Sequence, residues 1–277
     1  MDVSALQKNR LRHLEQQYNR ITTSLGGIVK NTFIYCGEDV TNTLGGTFSQ
    51  TAAFLLWVLG RKPTEEETRL VDTIICLNIY PDPRIWSIRS GAYAAVQDAP
   101  LSACIAAGHI AANGKIFGIG AVLQCSSFFK DLLARLKKNS METVVKAFLM
   151  QNKFFPGFGR PLIQGNDERY IRLQALLKEW NYRIGIHTKT LYKLAPILED
   201  ARGLYPNFAS LLTTLMLDDP FQCSDNQLTI LSHIMVNLPS AVVAVERHDN
   251  KNIPFLPLKV IDIEYTGKPR RTLENHS

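Results

Sequence analysis

Apolar residues recur at helical spacing over most of the chain, starting at 49-SQTAAFLLWVLG-60, where the run stops at Gly60. The next segment, 61-RKPTEEETRLVDTIICLNIY-80, opens with Thr64 three residues before Glu67, a capping-box spacing, and carries Glu65 and Glu66 where the positive end of a helix dipole favours acids. From 126 to 157 the pattern reads amphipathic helix, polar break, amphipathic helix, and 168-ERYIRLQALLKEWNY-182 and 188-TKTLYKLAPILEDARG-203 continue it. A last apolar helix is predicted over 228-LTILSHIMVNLPSAVVAVE-246, broken or kinked at Pro239.

The segment 101-LSACIAAGHIAANG-114 is small and apolar on nearly every side, a pattern that predicts a helix buried in the core. Strand-like patterning is confined to 33-FIYCG-37 and the tail 254-PFLPLKVIDIEYTG-267. There is no alternation of strand and helix and no internal repeat, so the fold class is mainly α.

Composition changes the picture little. Of 277 residues, 45% are hydrophobic and 20% charged, which fits a folded globular protein and excludes a disordered chain. The cysteines Cys36, Cys76, Cys104, Cys125 and Cys223 are scattered without C-x-x-C or Cys/His ligand spacing, so no metal is expected and the thiols read as reduced. The first residues, MDVSALQKNRLRHLEQQ, lack a signal-peptide core, and apolar runs fall short of the roughly 18 residues of a membrane span. A cytoplasmic location with no membrane contact is the expectation. The net charge of +6 is spread over 8-KNRLRH-13, 135-RLKK-138 and 268-KPRR-271 without aromatic platforms, so nucleic acid is not the expected partner, while a phosphate-bearing ligand such as coenzyme A suits a positive surface.

Five stretches in order, 34-IYCGEDV-40, 55-LLWVLGRKPTEEE-67, 101-LSACIAAGHIAANGKIFGIGA-121, 155-FPGFGRPLIQGNDER-169 and 263-IEYTG-267, resemble the citrate synthase family over nearly the whole chain. The resemblance implies a two-domain helical fold: a large domain from 1–119 and 223–277, a small domain from 120–222, and a cleft between them completed across a homodimer. It also implies condensation of an acyl-CoA with a keto acid, which needs a base for an α-proton, donors for the enolate and cations for carboxylates. No tightly bound cofactor is implied; a coenzyme A thioester would be a substrate.

The chain departs from the family where that chemistry resides. Phe117 stands for the first catalytic histidine, Arg160 for the second, and Asn207 is the nearest match to the base. Phenylalanine cannot hydrogen-bond an enolate, asparagine cannot take a proton at neutral pH, and arginine stays charged, so ordinary citrate synthase turnover is not expected. Further family positions fall at Pro81, His233, Leu256 and, for a coenzyme A contact, Gln164. Arg169 in 167-DER-169 matches the family's carboxylate-binding arginine, and Gly157, Phe158 and Gly159 match its glycine turn and the cofactor contact made there.

The candidate substrate-binding set is therefore Arg160, Arg169, His233 and Asn207, with two guanidiniums giving the cleft floor a positive charge suited to a small carboxylate. The alternative for the arginines is a surface or structural role, paired with Asp167, Glu168 or helix C-terminal carbonyls. His233, His109 and His187 read equally well or better as structural histidines. Two functions stay open: a divergent enzyme forming or cleaving C–C bonds or hydrolysing an acyl-CoA, and a non-catalytic binding or regulatory relative, including the partner of an active paralogue.

Overall fold

A computed structural model of the chain describes residues 8, 10, 12, 13, 23–80, 82, 84–115, 118–151, 154–160 and 165–250. The expected tail strand 254–267, with Leu256, and the positions Pro81, Phe117 and Gln164 lie outside the described residues.

The described chain begins with an antiparallel sheet of β1 (Gly26–Val29), β2 (Thr32–Tyr35) and β3 (Glu38–Asp39), in that order. Both connections are two-residue turns with positive φ throughout, Lys30 (49°) and Asn31 (64°), then Cys36 (48°) and Gly37 (85°), the geometry whose twist matches paired strands. Of these strands the sequence pattern predicts only β2; the pair of short apolar runs flanking 30-KN-31 is the signal for the first hairpin. Asp39 then accepts hydrogen bonds from the amides of Thr41 and Asn42, starting a single π-helical turn at Val40–Leu44.

Ten helices follow among the described residues. α1 (Gln50–Leu59) is capped by Ser49 and stopped by Gly60, left-handed at φ 65°. α2 (Glu65–Leu77) carries the expected capping box: the Glu67 amide donates to Thr64 Oγ1 at 3.2 Å and the Thr64 amide to Glu67 Oε2 at 2.8 Å. Next come α3 (Trp86–Val96), α4 (Leu101–Ala111), α5 (Ile119–Leu136) and α6 (Met141–Gln151). Then come α7 (Glu168–Glu179), α8 (Ile186–Arg202), α9 (Phe208–Leu217) and α10 (Asp225–Asn250). Helices α3 and α9 were not anticipated. Their apolar positions are too continuous or too small to show a clear 3.6-residue stripe.

α9 is the central helix, buried along almost its whole length and packed by α5, α7 and α8. Around it one hydrophobic cluster runs from Leu55 and Ile74 through Phe129, Leu173, Leu191 and Leu211 to Met235. A separate layer of α3, α4 and the second half of α10 is held by small clusters around Ile88, Ala92 and Val243, and around Ala95, Cys104 and Ala244.

Two expectations are corrected here. α4 fully buries only Cys104 and Gly108 and partly buries Ile105, Ala107, His109 and Ala111, while its opposite face, with Ile110 73% exposed, is open, because one side of a helix suffices to pack against α3 and α10. And α10 runs unbroken for 26 residues with Pro239 inside it, making it long and apolar enough to cross a membrane by length and composition. Its buried residues Leu228, Leu231, Met235 and Val243 face the other helices of this fold, which is what its apolarity serves in the described structure.

Candidate functional site

The glycine turn is shaped by backbone bonds to the strand-like segment ahead of α9. Gly159 donates its amide to the Tyr205 carbonyl at 2.8 Å, the Asn207 amide donates to the Gly157 carbonyl at 2.9 Å, and Phe158 bridges Pro206. Gly157 sits at φ 85°, and a Cβ there would lie 2.8 Å from both Cys125 Sγ and Ser210 Cβ, so only glycine fits. Asn207 locks the arrangement: its side-chain oxygen caps α9 at the Ser210 amide (3.2 Å) while Nδ2 donates to the Gly159 carbonyl (2.9 Å). In this position Asn207 spends both ends of its amide on the scaffold.

The turn delivers Arg160 to the start of α7. There Asp167, fully buried, is the helix N-cap. Its carboxylate accepts from the Arg169 amide (3.0 Å), from Arg169 Nε and Nη2 (3.1 and 3.0 Å) and from the Phe208 amide (2.9 Å), so it joins the first turns of α7 and α9. Burial alone would raise the pKa of Asp167, but the Arg169 hydrogen bonds and charge, the Phe208 amide and the charge of Arg160 hold it below the usual carboxylate value. Arg169 also donates from Nη1 to Asn78 Oδ1 at 2.9 Å, tying α7 to the end of α2, and lies 5.0 Å from the Phe208 ring centroid.

Arg160 faces two carboxylates. Its Nε lies 3.7 Å from Asp167, and its Nη1 and Nη2 donate to the two oxygens of Glu168 at 2.5 and 3.3 Å. The Arg160 hydrogen bond lowers the Glu168 pKa. Nearby, Asp82 is held low first by its hydrogen bond from Arg84 and also by the charge of Arg160. The guanidiniums are therefore balanced locally, where the sequence predicts net positive charge on the cleft floor. The two arginines are matched by Asp167 and Glu168 before any ligand arrives.

Arg160, Arg169, Asn207 and the Gly157–Gly159 turn are thus one connected cluster. His233 instead stacks on His109 of α4, with centroids 5.8 Å apart and rings 7° from parallel, and its pKa is lowered by burial and then by His109. His109 in turn bonds Asn237 at 2.9 Å. His187 joins the backbone amides of His187 and Thr188 in bonding Asp218, a cap for α8. Asn78 and Asp82 were missed by sequence reasoning, since Asn78 meets Arg169 across 91 residues and carries no local signal; Asp167 was legible as an N-cap before 168-ERYIRLQALL-177.

No family model matches the chain, and no curated protein matches it. Solved structures do. A citryl-CoA lyase from Hydrogenobacter thermophilus is 22% identical, with TM-score 0.75, over 92% of this chain and 97% of that one. An ATP citrate lyase from Methanothrix soehngenii, solved with citrate and coenzyme A, is 14% identical with TM-score 0.76, over 97% of this chain and 45% of that one. A citrate synthase from Thermotoga maritima is 20% identical with TM-score 0.65, over 82% and 60% of the respective chains. The chain has the mainly helical fold common to these proteins.

Proposed function

We propose that the chain binds a carboxylate-bearing ligand, of the citrate or citryl-CoA class, at the Arg160 and Arg169 cluster, and that it acts there on a carbon–carbon bond of an acyl-CoA rather than as a citrate synthase. The observation that carries the reading is the cluster itself. It sits at the N-terminus of α7, its guanidiniums are oriented by the scaffold, and one of them is held by a carboxylate on the surface. The likeness to a citryl-CoA lyase, over 92% of this chain and 97% of that one, supports testing cleavage first. Coenzyme A enters this reading as part of the substrate.

A non-catalytic relative is the second reading, favoured by Asn207: with its amide committed to the α9 cap and the Gly159 carbonyl, it offers no group to move a proton. In either reading we take the layer of α3, α4 and α10 as the homodimer contact, because Tyr93, Ile110, Leu238 and Val242 leave it apolar and exposed. The division into a large domain (1–119 and 223–277) and a small one (120–222) belongs to the same proposal.

The test is to incubate purified protein with citryl-CoA and follow oxaloacetate and acetyl-CoA, alongside calorimetric titration with citrate and with coenzyme A. Cleavage above the uncatalysed rate supports the enzyme. Citrate binding without cleavage selects the second reading, and absence of both overturns the proposal.

A further inference from the structure

We infer that Glu168 is an internal competitor for the anion site, its carboxylate filling the Arg160 fork until a ligand carboxylate displaces it. The inference rests on the anion-binding reading above and adds the residue that sets the affinity of that site. The two arginines of the cluster are held in unlike ways. The carboxylate on Arg169 belongs to Asp167, which is fully buried and pinned by two backbone amides, so it cannot leave. Arg160 also has Asp167 3.7 Å from its Nε, but the carboxylate across its Nη1 and Nη2 belongs to Glu168, whose side chain is 72% exposed while that of Arg160 is only 16% exposed. A mostly sheltered cation is therefore paired with a solvated anion.

The geometry of the pair is that of a bound carboxylate: two guanidinium nitrogens face two carboxylate oxygens. Of the other carboxylates near Arg160, Asp167 is buried and pinned and Asp82 is held by Arg84 through Nε and Nη2 at 2.9 and 2.7 Å, which leaves Glu168 as the exchangeable one. Rotating the Glu168 side chain toward water frees the fork at a helix N-terminus, where the dipole still favours an anion. Because the Glu168 carboxylate lies in water, its pair with Arg160 changes an equilibrium by only about fivefold, and a ligand making the same fork contact plus others displaces it.

Calorimetric titration of the full chain with citrate tests this, using wild type, Glu168→Gln, Glu168→Asp, Arg160→Ala and the double variant Arg160→Ala with Glu168→Gln. Loss of the competing charge, or its retreat by one methylene, should tighten citrate binding about three- to fivefold, and the gain should vanish when Arg160 is alanine. If Arg160→Ala weakens citrate binding while both Glu168 variants bind like wild type, the site stands and the inference falls. If neither wild type nor the Glu168 variants bind citrate at millimolar concentration, the anion-binding reading falls and the inference with it. Urea midpoints within error of wild type for both Glu168 variants establish that the comparison is between folded proteins.

Discussion

Arg169 lies against the carboxylate of Asp167 with Nε and Nη2 donating at 3.1 and 3.0 Å, and between them they join the ends of α2, α7 and α9. A residue matched to a ligand-binding arginine is thus also a structural clamp. Its substitution will not separate binding from folding.

Asp167→Ala should destabilise the protein by about 3–5 kcal/mol, because it leaves Arg169 and two helix-terminal amides without their buried acceptor. Glu168→Gln, one residue on but exposed, should cost under about 1 kcal/mol. Urea unfolding of the two variants checks the contrast, and equal losses would contradict the assignment of Asp167 as the clamp.

Stability should fall in acid through Asp218 as well as Asp167. Burial alone would raise the pKa of Asp218, but the His187 side chain and the amides of Thr188 and His187 prevail and lower it. A carboxyl with a folded pKa below its unfolded value of about 3.9 contributes stability that is full above that value and is lost as pH falls through the folded one. The urea midpoint of wild type should therefore drop below about pH 4, and Asp218→Asn should start lower and show a shallower drop.

Gly157→Ala should cost about 2–4 kcal/mol, since it combines a left-handed φ with contacts of 2.8 Å to Cys125 and Ser210. Gly159→Ala is the control: it shares the positive φ, at 76°, but meets only Leu204 at 3.9 Å, so its loss should be smaller. Thermal melts of both distinguish crowding from backbone strain.

Thiol labelling at pH 8 should modify Cys76, which is exposed, and spare Cys125 and Cys223, whose thiols burial pushes up to about 12. Rapid labelling of all three in folded protein would contradict the packing around α9.

The protein should be a dimer by light scattering at micromolar concentration, and Ile110→Glu, which places a charge on the outward face of α4, should shift it toward monomer. A wild-type monomer would remove the α3, α4 and α10 layer as a contact surface.

Local features can be read directly from the residues. Thr64 and Glu67 specified the start of α2, Gly60 and Gly203 the ends of α1 and α8, and the amphipathic stripes α5 to α8, because caps and 3.6-residue periodicity act within a few residues of chain. The order of the motifs carried the fold class, and it brought Arg160, Arg169 and Asn207 forward as candidates. What those side chains do follows from long-range packing. That Arg169 reaches Asn78, that Asn207 is consumed by Gly159, and that His233 stacks on His109 depend on residues dozens of positions away. The same is true of charge. A sequence shows two arginines as two positive charges; folding buries Asp167 between them and leaves Glu168 at the surface, and that difference in burial makes one ion pair permanent and the other exchangeable.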